Sequence, residues 1–257
     1  AHFAILPKSQ EAAVRDLYVW LGVASQPRLD HVLTKIRELA AGSYSSTSSP
    51  SVQRIVTHLG KRIEGDEDFS LLSSLKGVRW LPARGKTDRW HAPTELYADY
   101  QAYLFESQAL ILDLPNRVQT SSRRLLEFLG VRLTPEPSLV VKHLTCQASR
   151  GVAVNTGVYD FLNDKVGDPA LAQLRGKACL WLGDAYRRPD EVFWGEHPFG
   201  RYRWRLGDQL KTYSKFLTAI NVREAPANSD FLRVLKEVSA EFGAANIPLD
   251  DEAHSVL

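Results

Sequence analysis

Arg201-Tyr202-Arg203-Trp204-Arg205 alternates cation and aromatic strictly. In an extended chain this spacing sends three guanidinium groups to one face and Tyr202 and Trp204 to the other. Such a face can track phosphates while the rings stack on bases. Two more basic stretches stand beside aromatics or turns. Arg84, Lys86 and Arg89 run into Trp90 and His91, and Arg187 and Arg188 precede Pro189. The candidate partner-binding residues are therefore Arg84, Lys86, Arg89, Trp90, Arg187, Arg188, Arg201, Arg203, Trp204 and Arg205. The blander reading is a half-buried strand or loop with its aromatics in the core and its arginines in water. Under either reading Arg203→Ala should leave melting almost unchanged.

Other chemistry finds less support. Arg84-Gly85-Lys86-Thr87 lacks the first glycine of a phosphate loop and reads as an exposed basic turn. No Asp-x-Gly-x-Gly occurs, so neither an ATP site nor any other cofactor is expected. Cys146 and Cys179 are far apart in sequence. Only His143 and Cys146 stand one helical turn apart, and a half-buried cysteine on an amphipathic helix accounts for them. Cys179 falls in an apolar run and reads as core. No Gly-x-Ser-x-Gly or activated cysteine is recognisable, so no catalytic residue is assigned. Glu64, Asp66, Asp68 and the acidic run Asp250-Asp251-Glu252 read as solvated loops.

Composition bounds these readings. In 257 residues, 44% are hydrophobic and 24% charged, as in an ordinary globular chain. The 32 basic and 30 acidic residues leave a formal charge of +2, too little for a global field aimed at nucleic acid or membrane. Two cysteines exclude a disulfide framework and fit a reducing, cytoplasmic compartment. Charge or proline breaks every apolar run short of a membrane span, and the start lacks the pattern of a signal peptide. Methionine is absent even from position 1, and an amphipathic segment opens the chain almost at once. Both features fit an internal segment of a longer polypeptide.

The elements that must position these residues are mainly helical. Leu29, Val32, Leu33, Ile36, Leu39 and Ala40 form one stripe of a helix that ends at Gly42. Val52, Ile55, Val56, Leu59 and Ile63 form a second, between Pro50 and Gly65. The polar run from Ser43 to Ser49 reads as a flexible connection. Phe231, Val234, Leu235, Val238 and Phe242 make a later stripe, and another helix should precede Gly130. Ser9 is a candidate N-cap, with Glu11 in the first turn after it. Strands are expected at Val78–Leu81 (stopped by Pro82), Ala109–Leu112 and Cys179–Leu182.

Internal repetition ties these elements together. Trp20-Leu21-Gly22-Val23 with Pro27 returns, at the same spacing, as Phe128-Leu129-Gly130-Val131 with Pro135. A degenerate third copy runs from Phe216-Leu217 to Val222 and Pro226. Leu75-Lys76-Gly77 with Trp80-Leu81, then Pro93-Thr94-Glu95-Leu96-Tyr97, returns as Leu174-Arg175-Gly176 with Trp181-Leu182, then Pro189-Asp190-Glu191-Val192-Phe193. Trp80 and Trp181 should thus be equivalent. Gly22 and Gly130 should be left-handed helix ends, with proline opening the next helix. The expected fold is α+β, predominantly helical with short strands, in two tandem divergent repeat units. Residues 1–64 complete a preceding unit, 65–165 form the first unit, and 166–257 form the second with an acidic tail.

The block of Trp80-Leu81-Pro82, Pro93 and Glu95, then Leu129-Gly130-Val131 and Pro135, resembles the repeat region of sacsin, plant NO VEIN proteins and their bacterial relatives. In that family such regions follow an ATPase domain of the GHKL type. The second unit departs from the pattern, with Gly183 after Trp181-Leu182 and a long gap between Leu217 and Val222. The resemblance implies a non-catalytic scaffold segment of a large chaperone-type ATPase, coupled to a protein client or to other domains of its polypeptide. The alternative is a nucleic-acid-binding module of a bacterial defence or repair protein, and an unrecognised enzyme ranks third. No membrane partner is expected, and the sequence leaves the oligomeric state open.

Overall fold

The computed structural model describes residues 27–63 and 70–243, with Trp20, Asp250, Ala253 and His254. The helix expected after Ser9, the match at Leu21-Gly22-Val23, Gly65 and the acidic Glu64, Asp66, Asp68, Asp251 and Glu252 lie outside the described residues. The chain is α+β and mainly helical, with short strands. It divides into two bodies, residues 27–99 with 112–132, and residues 100–111 with 133 onward.

The apolar stripes become helices where expected. α1 spans Leu29–Ala41 and buries Val32, Leu33 and Ile36. α2 spans Ser49–Ile63 and buries Val52, Val56, Leu59 and Ile63. The serine run between them is more ordered than a flexible connection, because Ser46–Ser48 forms a 3₁₀ turn whose last residue adjoins α2. Strand β1 (Leu81–Ala83) pairs antiparallel with β2 (Lys86–His91). Pro82 therefore sits inside a strand and does not end one. The register shifts at this point, where a missing N–H breaks no ladder bond. The Pro82 carbonyl is still used, accepting the Asp113 amide at 3.0 Å.

After the hairpin come a 3₁₀ turn at Pro93–Glu95, β3 (Leu96–Tyr97) and β4 (Leu110–Ile111). Helices α3 (Asn116–Ser121), α4 (Arg123–Leu129), α5 (Pro137–Ser149) and α6 (Gly157–Asp164) follow. Gln119 is fully buried and ties its body together. Its Oε1 accepts from the Asp99 amide at 3.0 Å, and its Nε2 donates to the carbonyls of Leu112 and Leu114.

The same order is then met again. It runs through a 3₁₀ turn at Pro169–Leu174, the antiparallel pair β5 (Leu180–Trp181) and β6 (Tyr186–Arg187), a 3₁₀ turn at Pro189–Glu191, and β7 (Val192–Phe193). A short β8 (Trp204–Arg205) pairs parallel with β7. Helices α7 (Asp208–Lys211), α8 (Ser214–Ala219) and α9 (Asn228–Val238) close the series.

Matching backbone bonds fix the register between the two runs. Trp80 N–H donates to the His91 carbonyl, and Cys179 N–H donates to the Arg187 carbonyl. Leu81 pairs with His91 as Leu180 pairs with Arg187. Trp80 thus corresponds to Cys179, both fully buried, and the expected match of Trp80 with Trp181 is corrected. Trp181 is only half-buried, 5.0 Å from the Tyr186 ring. The gap after Leu217 is also resolved. Val131 N–H reaches the Leu126 carbonyl, and Val222 N–H reaches the Leu217 carbonyl, both at 2.9 Å. The counterpart of Leu129-Gly130-Val131 is therefore Ile220-Asn221-Val222. Gly130 (φ +93°) and Asn221 (φ +69°) both take the left-handed conformation that ends each helix.

Candidate functional site

The ten basic and aromatic candidates do not form one surface. In the first body, Arg84 and Lys86 flank Gly85 at the turn of the β1–β2 hairpin, and Gly85 has φ +68°. Arg84 pairs with Asp99 at 2.5 Å. Arg89 is exposed, while Trp90 is buried with its ring 4.8 Å from Tyr44. No stacking face is open at Trp90.

In the second body the guanidinium groups meet carboxylates or rings. Arg187 lies 4.0 Å from the Trp204 ring centroid and 3.1 Å from Asp184. Arg188 pairs with Asp190 and Glu191, and its amide donates to Glu191 Oε2. Arg201 pairs with Glu241 at 2.8 Å and Asp250 at 2.6 Å, and Arg205 with Glu196.

The expected extended run from Arg201 to Arg205 is corrected here. Gly200–Tyr202 is a 3₁₀ turn, and only Trp204–Arg205 is strand. Arg203 does not face water: it is 4% exposed and binds both carboxylate oxygens of Glu237 on α9, at 2.7 and 3.0 Å. Strict alternation assumed a strand of five residues. The chain turns at Gly200–Tyr202 before β8 pairs with β7, so the run is no single extended face: Arg201 and Arg203 meet Glu241 and Glu237, and Arg205 meets Glu196.

Basic charge collects elsewhere. An open groove of about 1140 Å³ runs between α2 and α3 in the first body, with Arg54, His58, Lys61, Arg62 and Arg117 in its lining and, among the described residues, no acidic side chain. Arg54 Nε donates to the Pro50 carbonyl at 3.3 Å, and Arg62 donates to the Pro27 carbonyl at 3.4 Å, so both are positioned by backbone. His58 Nε2 is buried without a hydrogen-bond partner. A groove lined by one sign of charge concentrates its field and suits phosphate or carboxylate ligands. Sequence reasoning missed it. The signal was present on the polar face of α2, where Arg54, His58, Lys61 and Arg62 follow helical spacing. Arg117 reaches the groove only through the packing of α3 against α2.

The remaining titratable candidates are occupied structurally. His143 is 2% exposed, with Nδ1 2.7 Å from Ser107 Oγ. Burial pushes its pKa down, partly opposed by Glu106. Burial likewise raises the Cys179 thiol far above its ordinary range, leaving it a poor nucleophile. Cys146 is half-buried on α5. Among the described residues no group of three His, Cys, Asp or Glu could hold a metal ion. Among them also, no helix is long and apolar enough to cross a membrane.

Comparison of the chain with protein-family models, curated proteins and solved structures found no match.

Proposed function

We propose that the chain is a non-catalytic scaffold built from recurring α+β units, similar to the repeat regions of sacsin and NO VEIN-like ATPase proteins. Its role is to engage a protein client or other domains of its own polypeptide. The observation that carries this reading is the recurrence of the latches that hold each unit. Ala92 N–H donates to Glu95 Oε2 at 3.2 Å, and Arg188 N–H donates to Glu191 Oε2 at 3.1 Å. Lys76 sits 4.9 Å from the Phe128 ring, and Arg175, in the corresponding place, donates to the carbonyl of Ala219 near the end of α8. These contacts all maintain architecture. If the units recur, Glu95→Ala and Glu191→Ala should each lower stability by about 1 kcal/mol in urea titrations. A large loss at one and none at the other would refute the recurrence. Calorimetry with Mg-ATP should give no binding, and specific micromolar binding would refute the non-catalytic reading.

The basic groove favours a second reading, in which the chain contacts phosphates of nucleic acid. Its carriers are Arg54, Lys61, Arg62 and Arg117, a set separate from the ten residues that the sequence singled out. Titration of short DNA and RNA duplexes at several salt concentrations tests it. Phosphate contacts require affinity to fall steeply with salt, and Lys61→Ala to reduce that slope by about one. Salt-independent or absent binding would remove this reading and leave the scaffold alone.

A further inference from the structure

Arg54, Lys61 and Arg117 line the groove between α2 and α3, and among the described residues none of them meets a carboxylate. Arginines of the second body behave differently: Arg188, Arg201, Arg205 and Arg223 each hold an aspartate or a glutamate. The walls of the groove are held at a set distance. Gly60 on α2 lies against Ser122, where a Cβ would come 2.5 Å from the serine oxygen. Ser122 Oγ donates to the Val56 carbonyl at 3.2 Å, a buried bond that fixes α2 against the corner between α3 and α4. His58 lines the same groove with its Nε2 buried and without a hydrogen-bond partner, an atom that an incoming oxygen would satisfy. The architecture does not demand these charges. In the register that sets Trp80 against Cys179 and Gly130 against Asn221, Lys61 corresponds to Asp160 and Arg117 to Asp208. The close contact of Gly60 with Ser122 is replaced there by the rings of Tyr159 and Tyr213, 5.7 Å apart, a correspondence that rests on the reading of the chain as recurring units.

We propose that this groove is the docking site for an extended, acidic segment of a partner protein. Shape and lining select that class. A duplex is read by helices or ribbons that project into its grooves, whereas here the cations line a concavity. Single-stranded nucleic acid is held by rings on which its bases stack, and among the described residues the lining holds no Phe, Tyr or Trp. A peptide rich in carboxylates needs neither feature. Clusters of arginine and lysine recognise such segments through charge-assisted hydrogen bonds, with guanidinium matching carboxylate in its planar fork. From Arg54 to Lys61 the helix advances about 10 Å. Alternate side chains of an extended peptide stand about 7 Å apart on one face, within reach of that span. Three alternating carboxylates supply one for each of Arg54, Lys61 and Arg117, and Gln53 offers an amide to the peptide backbone.

A fluorescein-labelled peptide, Gly-Glu-Ser-Glu-Ser-Glu-Gly, titrated by anisotropy with the full chain, serves as the probe. Saturable binding that weakens as salt rises is expected. Arg117→Ala and Lys61→Ala should each reduce it about tenfold or more. Arg37→Ala removes an exposed cation from α1 in the same body and should change affinity by less than about twofold. All three side chains are exposed, so the variants should melt with the parent, and circular dichroism checks that they are folded. Absence of saturable binding, equal binding of a peptide with glutamine for glutamate, or equal losses for Arg37→Ala and Arg117→Ala overturns the proposal. A single-stranded oligonucleotide that displaces the peptide, binds more tightly and loses that affinity in Arg117→Ala would give the groove to nucleic acid and also overturn it. A silent peptide beside matched losses for Glu95→Ala and Glu191→Ala would remove the docking site alone and leave the recurring units standing.

Discussion

Arg132 donates a 2.7 Å hydrogen bond to the Tyr97 hydroxyl, with its guanidinium carbon 5.1 Å from the centroid of the same ring. The two residues are also bridged through the backbone, in parallel orientation. Arg223 and Phe193 repeat the arrangement at 5.4 Å, with the same parallel bridge and no hydroxyl to receive the guanidinium. Arg223 turns to Asp230 instead, at 2.6 Å. The ring face and the bridge are therefore common to both pairs, and the hydroxyl bond is particular to Arg132 and Tyr97. Tyr97→Phe should cost less than about 1 kcal/mol, and Arg132→Ala more, since it removes both the cation–π contact and the packing of the arginine stem. Urea denaturation of the two variants decides the order.

Gly130 ends α4 at φ +93°, and a Cβ there would lie 2.9 Å from Thr94 Cγ2. Valine meets both a forbidden backbone region and a clash. Gly130→Val should lower Tm by several degrees. Asparagine tolerates the same backbone, as Asn221 does in the corresponding position. Gly130→Asn should therefore lose clearly less than Gly130→Val in a thermal melt. Adding Thr94→Ala should recover part of the valine loss, because it relieves the clash and leaves the backbone strain.

Arg203 and Arg205 are two residues apart and should behave oppositely. Arg203→Ala leaves Glu237 without the partner that holds both its oxygens and opens a gap in a buried site. A loss of about 2 kcal/mol or more is expected. Arg205→Ala removes an exposed pair with Glu196 and should change stability by less than about 0.5 kcal/mol. Equal effects in chemical denaturation would contradict the placement of Arg203 against α9.

Acid should loosen the chain through two carboxylates. Burial raises the pKa of Asp230, but hydrogen bonds from Arg223 and the Ala227 amide outweigh it and hold the group below its ordinary value of 3.8. Glu95 behaves alike: burial raises it, and the Ala92 amide and Arg79 bring it below 4.5. A carboxylate whose folded pKa is depressed binds fewer protons when folded. Its stabilisation is complete above the unfolded pKa and is lost as pH falls through the folded one. Stability should therefore hold above about pH 5 and decline below about pH 4. Asp230→Asn should flatten part of that decline in urea titrations at stepped pH.

The sequence by itself determined the helices, the left-handed end at Gly130 and the turns at Pro93–Glu95 and Pro189–Glu191. These depend on local periodicity and on backbone preferences that neighbouring residues carry within a few positions. Val32, Leu33 and Ile36 announce a buried face whatever covers them, and Pro-x before Glu95 or Glu191 announces a turn, which each glutamate closes by accepting the amide three residues before it. Tertiary structure alone decided the register. Trp181 lies two residues past the strand position that Trp80 fills, and only the bonds of Trp80 to His91 and Cys179 to Arg187 show it. It also decided where charge collects. Arg203 is drawn inward by Glu237, far along the chain, whereas Arg54, Lys61 and Arg62 gain Arg117 across a groove. Electrostatic neighbours are set by packing at long sequence separation, where no local pattern reaches. For the same reason the stripe of Phe231, Val234, Leu235, Val238 and Phe242 reads in sequence as one buried face, and only the fold shows that Val234 and Val238 are buried while Phe231 and Leu235 keep part of their surface in water.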